Sequence, residues 1–207
     1  VLEFIYYSLG QQYSGPRFLR AMEGIYETNK NSAYFLSSYS FALELCGQYD
    51  KALATAERAI VLEEINPWAH HTLSHVYIKK GEITAGTKIL EDYQHIWQES
   101  GQAINSHNYW HLALMYLEEL DRDKAFSVLG SHILKDSPYL VIQQLDAISL
   151  LWRLEMAGFE VPYREWKNLA DITAGNSKEC YIPYMSAHYI YAQARAGNYE
   201  ELTEALS

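Results

Sequence analysis

The fold is decided by "GQYDKAL", Gly47 to Leu53, read together with "GEITAGTKIL", Gly81 to Leu90. Each opens on a glycine that follows an apolar stretch of helical periodicity and precedes another. The step from Gly47 to Gly81 matches the tetratricopeptide repeat, a helix–turn–helix recurring every ~34 residues. "LDRDKAF" at 120–126 repeats the same turn, as do "GFEVPYREW" from Gly158 and "GNYEEL" from Gly197. These later steps are a few positions longer than the first, so the repeat is imperfect and carries insertions.

Working outward from those turns, the sequence predicts an opening pair of helices over about 1–9 and 16–28. The pairs that follow are 32–46 with 49–63, 67–80 with 83–98, 106–119 with 122–135, 138–157 with 163–173, and 182–196 with 199–207. Asn66 before Pro67, and Ser137 before Pro138, read as N-caps with proline at the first helical position. Gly158 and Gly197 stand where helices should stop. No alternation of period two marks a strand. Ala52, Ala56 and Ala59 let the second helix of a pair approach its neighbours, and Phe35, Tyr39 and Leu43 fill the space between. One helix pair cannot bury its apolar face alone; stacked pairs can. The expected fold is all-α, a tetratricopeptide-like right-handed superhelix of antiparallel helix pairs, as a single domain over 1–207.

The totals agree with a globular chain. It has 207 residues, 49% of them hydrophobic and 20% charged. A net charge of −10 and the lack of any basic run longer than Lys79–Lys80 argue against nucleic acid and anionic lipid as partners. No uninterrupted apolar segment is long enough to span a bilayer. Cys46 and Cys180 form no metal-type pair and read as reduced thiols of a cytoplasmic protein, with a single disulfide as the alternative. The chain opens on an already helix-like "VLEFIYYSL" and stops in "ELTEALS", the pattern expected of a piece of a longer protein.

Several stretches carry a resemblance. "HHTLSHVYIKKGEITAG", "HNYWHLALMYLE", "DAISLLWRLEMAG" and "SAHYIYAQARAG" resemble the tetratricopeptide repeat protein 38 family, in the same order and over nearly the whole chain. The resemblance implies an α-helical repeat protein longer than this chain, and implies little about activity. Its pattern maps onto His71, His75, His107, Asn108, Trp110, His111, Asp146, Arg153 and His188; Trp152 departs from it, since another aromatic can stand there.

The histidines raise the functional question. His71 and His75 are four residues apart, as are His107 and His111, so each pair shares one helix face. Counted from the turn glycines, both pairs fall at or within one residue of positions on the first helix that face the groove of a tetratricopeptide fold. Asp146 and Trp152 come from the next first helix and His188 from the last. All of these are expected to look into one concavity, with Asp146 and His188 near its edge. One reading is a packed polar network, in which Asp146 orients a histidine and Asn108 ties down a backbone group. A second is a metal held by His71, His75, His107 and His111. The zinc-protease signature is missing, because Thr72 and Asn108 stand where a base would follow the first histidine. A third is acid–base catalysis by a histidine with Asp146 or Glu155, but no activated nucleophile, phosphate-cradling loop or dinucleotide fingerprint accompanies it. The preferred expectation is a binding module that needs no cofactor. Its groove is rich in histidine and aromatic residues and takes a protein, a peptide or a small polar ligand. With only Arg153 as an anion contact, that ligand is neutral or cationic.

Overall fold

A computed structural model describes residues 11–98, 101–135, 140–174 and 182–205. Among these, all regular structure is helical, in antiparallel pairs of tetratricopeptide type. The expected helix at 1–9, the Ser137–Pro138 start signal and Cys180 lie outside the described residues. The chain divides into two compact units, residues 1–115 and 116–207.

The first unit holds α1 (Gln11–Gly24), α2 (Tyr26–Asn29), α3 (Ala33–Leu45), α4 (Tyr49–Leu62), α5 (Pro67–Lys80), α6 (Ile83–Trp97) and most of α7 (Gln102–Glu118). Helix α3 packs on α4 and on α5, and α5 on α6. Leu19, Met22, Ala42, Leu43, Ala52 and Val76 form a core flanked by Phe35 and Tyr39. Ala52, Ala56 and Ala59 are fully buried. Small residues set how near the helices come. A Cβ at Gly86 would lie 2.7 Å from the Cβ of Tyr77 and 2.9 Å from the Cε of Met115. Fully buried Trp97 donates from Nε1 to Nδ1 of His70 at 3.2 Å, and His70 stacks on Tyr93. That bond needs a bare Nδ1. Burial, with a smaller push from His95, lowers the His70 pKa to about 4, which keeps the ring neutral.

One turn recurs. After α3 the amide of Gln48 donates to the carbonyl of Leu43, and after α5 that of Glu82 donates to Tyr77, each at 3.0 Å. Asp121 to Tyr116, Phe159 to Leu154 and Asn198 to Gln193 repeat it at 2.8–3.0 Å. This six-to-one bond satisfies a carbonyl left over at the helix end, and it requires one left-handed residue. Gly47, Gly81, Gly158 and Gly197 fill that position with φ of +70 to +86°. At the remaining turn the position is taken by Leu120, at φ 58°.

The second unit holds α8 (Arg122–Val128), a π-helical turn (Leu129–Ile133), α9 (Val141–Met156), α10 (Tyr163–Ile172), α11 (Pro183–Arg195) and α12 (Tyr199–Ala205). Ile148, Leu150, Leu151, Trp166, Leu169 and Tyr189 are buried in it. Glu155 ties three helices together. Its Oε1 accepts from Trp166 Nε1 at 2.9 Å and from Arg195 Nη2 at 2.6 Å, and its Oε2 accepts from the Tyr191 hydroxyl at 2.8 Å. Burial pushes this carboxyl up, but the donors of Arg195, Tyr191 and Trp166 together hold it below the usual range.

Boundaries differ from the sequence reading in four places. Helix α1 runs through Pro16, where a start was expected. Pro16 lies inside it, with helix on both sides from Gln11 onward, rather than at the first position. Helix α7 begins at Gln102, four residues earlier than expected, and so absorbs most of its repeat's insertion as extra helix. Helix α8 leaves α-geometry at Leu129, and the Ile133 carbonyl accepts instead from Gln143 Nε2 at 3.0 Å. Helix α9 starts at Val141. The Asn66 cap is in place, its side chain accepting from the Ala69 amide at 3.2 Å.

Two substitutions test this account. Ala56→Leu should cost about 1–3 kcal/mol by overpacking, and an unchanged urea midpoint would contradict the close approach at α4. Leu120→Gly should stabilise by about 0.5–1 kcal/mol, because left-handed strain is relieved at an exposed side chain while the unfolded chain gains some freedom. A lower midpoint would show that Leu120 is held there by contacts worth more than its strain.

Candidate functional site

In the first unit, α5 and α7 lie side by side, and Asn108 fixes their register by donating from Nδ2 to the Pro67 carbonyl at 2.9 Å. Asn108 is thus a buried clamp at the start of α5. Above it the two i, i+4 pairs meet. Ring centroids are 4.4 Å apart for His71 and His75, 4.7 Å for His107 and His111, 5.1 Å for His71 and His107, and 4.6 Å for His75 and His111. The Nε2 atoms of His75 and His111 are 3.2 Å apart. His71 and His111 are buried, while His75 and His107 are half-buried.

Aromatic rings wall this group. Trp110 stacks on His107 at 5.2 Å and meets His111 edge-on at 4.8 Å. Phe41, from α3, lies 5.4 Å from His71 and 5.8 Å from His75. Trp68 touches His71 at 6.0 Å, with half of its own surface exposed.

The sequence reading missed one member. Glu44, on α3, places Oε1 3.4 Å from Nδ1 of His75, with its side chain only 2% exposed. Among the described residues its Oε2 has no hydrogen-bond partner. The signal was an acid inside the apolar run "FALELC", one turn after Phe41. Glu44, His75 and His111 thus stand in a row, and which nitrogen of the His75–His111 contact carries the proton depends on the tautomers of the two rings. Burial, and then the nearby His75 and His107, push the His71 pKa well below that of an ordinary histidine.

The remaining candidates belong to the second unit. Trp152 stacks on Tyr191 at 4.1 Å and meets His188 at 5.9 Å. His188 donates from Nδ1 to the Tyr184 carbonyl at 2.7 Å and packs against the Tyr184 ring. Arg153 hydrogen-bonds back to the carbonyl and hydroxyl of Ser149, one turn earlier on its own helix. Asp146 is buried. Glu155, read from sequence as a partner in acid–base chemistry, is instead the structural tie described above. A carboxylate already accepting from an indole, a guanidinium and a phenol has little basicity to offer.

No protein-family model matches the chain. Among solved structures, the crystal structure of YrrB, described as a TPR protein with an unusual peptide-binding site, is similar. Identity is 15% and the TM-score 0.49, over 88% of this chain and 98% of that one. No helix among the described residues is long and apolar enough to cross a membrane.

His188 gives a pH test. Burial disfavours its charged form most. Arg153 adds to this, while the Tyr184 carbonyl and Asp146 work the other way, and the pKa ends below the ordinary 6.5. The unfolded chain therefore binds the proton more readily, so stability falls as pH drops below about 6.5. His188→Asn, whose amide still donates to the Tyr184 carbonyl, should narrow the gap between the urea midpoints at pH 7 and pH 5. An unchanged gap would mean that His188 charges as easily folded as unfolded.

Proposed function

We propose that the chain is a binding module. The face shared by α3, α5 and α7 would take a neutral or cationic peptide segment, or a small polar ligand, against its histidine and aromatic surface. The observation that carries this reading is the convergence of His71, His75, His107 and His111 beside Trp110 and Phe41. The partly open rings at His75, His107 and Trp110 offer stacking surface and hydrogen-bonding nitrogens together. The net charge of −10 favours a ligand that is not anionic. In the second unit, Trp152, Arg153, Asp146 and His188 are further candidate contacts. The quoted "HNYWHLAL" and its companions support membership of the tetratricopeptide repeat protein 38 family. The scarcity of cysteine supports a cytoplasmic setting.

A random peptide library panned in the presence of a chelator tests the reading. Wild-type chain should enrich neutral or basic sequences, and a Phe41→Ala, Trp110→Ala double variant of unchanged helix content should bind the enriched peptides at least tenfold more weakly. No enrichment, or equal binding by the double variant, would overturn it.

A further inference from the structure

We propose that His71, His107 and His111 form a site for a divalent transition ion of the zinc class, with His75 and Glu44 positioning the ligands from behind. The site stands whether or not the same face binds a peptide.

Three observations carry it. The first is geometric. One ring nitrogen from each of His71, His107 and His111 lies within 4.8 Å of the others. Around zinc at 2.0–2.1 Å, tetrahedral ligand nitrogens are about 3.3 Å apart. Closing that difference would take rotation of the rings about their side-chain bonds. Half-buried His107 lies at the open side, where an ion would enter.

The second is the chemistry of the donor set. Three imidazoles without an oxygen cage suit zinc, copper, nickel or cobalt and do not suit calcium or magnesium. Three protein ligands leave a fourth position for water or for a Lewis-basic group of a ligand.

The third observation is independent of the rings. Glu44 is buried; among the described residues its Oε2 has no hydrogen-bond partner, and its Oε1 lies 3.4 Å from His75 Nδ1. An ionised carboxylate in that position is costly unless positive charge stands near it. A dication beyond His75 and His111 supplies that charge. The row Glu44–His75–His111 also matches the form of a metal's outer shell, in which a ligating histidine passes its other N–H to an acceptor that fixes its orientation. In that arrangement His111 would donate from Nε2 to His75 and ligate through Nδ1, with Glu44 beside His75 in turn.

The test uses the full chain without a polyhistidine tag, stripped with chelator and titrated with zinc alone in a calorimeter. One equivalent should bind. Cobalt should give the visible absorption of a tetrahedral or five-coordinate centre and be displaced by zinc. His71→Asn, His107→Asn and His111→Asn should each abolish the tight equivalent. Glu44→Gln should keep the stoichiometry and weaken affinity about 10–100-fold, the range for outer-shell partners. His95→Asn and His132→Asn, outside the cluster, should change nothing. If a buried variant fails to fold, His107→Asn at the open side decides, with helix content read by circular dichroism. Absence of a tight equivalent in the wild type, binding that survives His107→Asn, or binding that His95→Asn removes would overturn the site. Chelator is present in the peptide experiment and only metal in this one, so either reading can fail alone.

Discussion

Everything in this chain hangs on how its first helices end. Five times among the described residues a helix stops with a left-handed residue, and the amide beyond it reaches back to a leftover carbonyl. That bond turns the chain sharply, so the second helix starts against the first instead of continuing it. Small residues then decide the spacing. Ala52, Ala56 and Ala59 admit α4 to its neighbours, and Gly86 brings α6 to a distance at which even one methyl would collide with Tyr77. The turn sets direction and the small residues set distance. Between them they put Phe41, His71 and His107 on successive first helices within reach of one another. The fourth pair shows the limit of the rule. Gly158 turns the chain in the same way, but Val161 and Pro162 delay α10 to Tyr163.

The two units hold an inward-facing glutamate in different ways. Glu155 accepts from an indole, a phenol and a guanidinium, and its ionised form is fully answered. Its work is to hold α9, α10 and α11 together. Glu44 touches one histidine edge at 3.4 Å and has an oxygen with no hydrogen-bond partner among the described residues. Interiors rarely leave a carboxylate so poorly answered, because the desolvation cost is large. The contrast separates a glutamate whose hydrogen bonds account for its place in the fold from one whose hydrogen bonds do not. Counting acids in the sequence could not have made that distinction.

The histidine group follows the same logic. His70 and His71 are adjacent in sequence and do different work. His70 faces α6, takes a hydrogen bond from Trp97 and stacks on Tyr93. His71 faces α7 and meets three other imidazoles. A rotation of about 100° per residue around one helix is enough to send one ring into the packing and its neighbour into the cluster.

Much of the architecture was legible from residues alone. The repeat step, the turn glycines, the buried alanines and the Asn66–Pro67 start are local signals, and each depends on one backbone conformation or one side-chain size. The pairing of His71 with His75 and of His107 with His111 was legible too, since four residues always return to the same helix face. The approach of those pairs needed the stacking of α5 on α7, which Asn108 fixes through a carbonyl 41 positions away. The extra length in α7 was hidden because no proline or cap marks its start at Gln102. Leu120 was hidden as a left-handed residue because leucine seldom adopts that conformation. Glu44 was the largest omission. In sequence it is one acid in an apolar helix, two helices before the one that carries His75, and nothing local says which oxygen stays unanswered. Local conformation and face are written in short-range sterics and periodicity. The company a buried charge keeps is set by helices that meet only after the chain has folded.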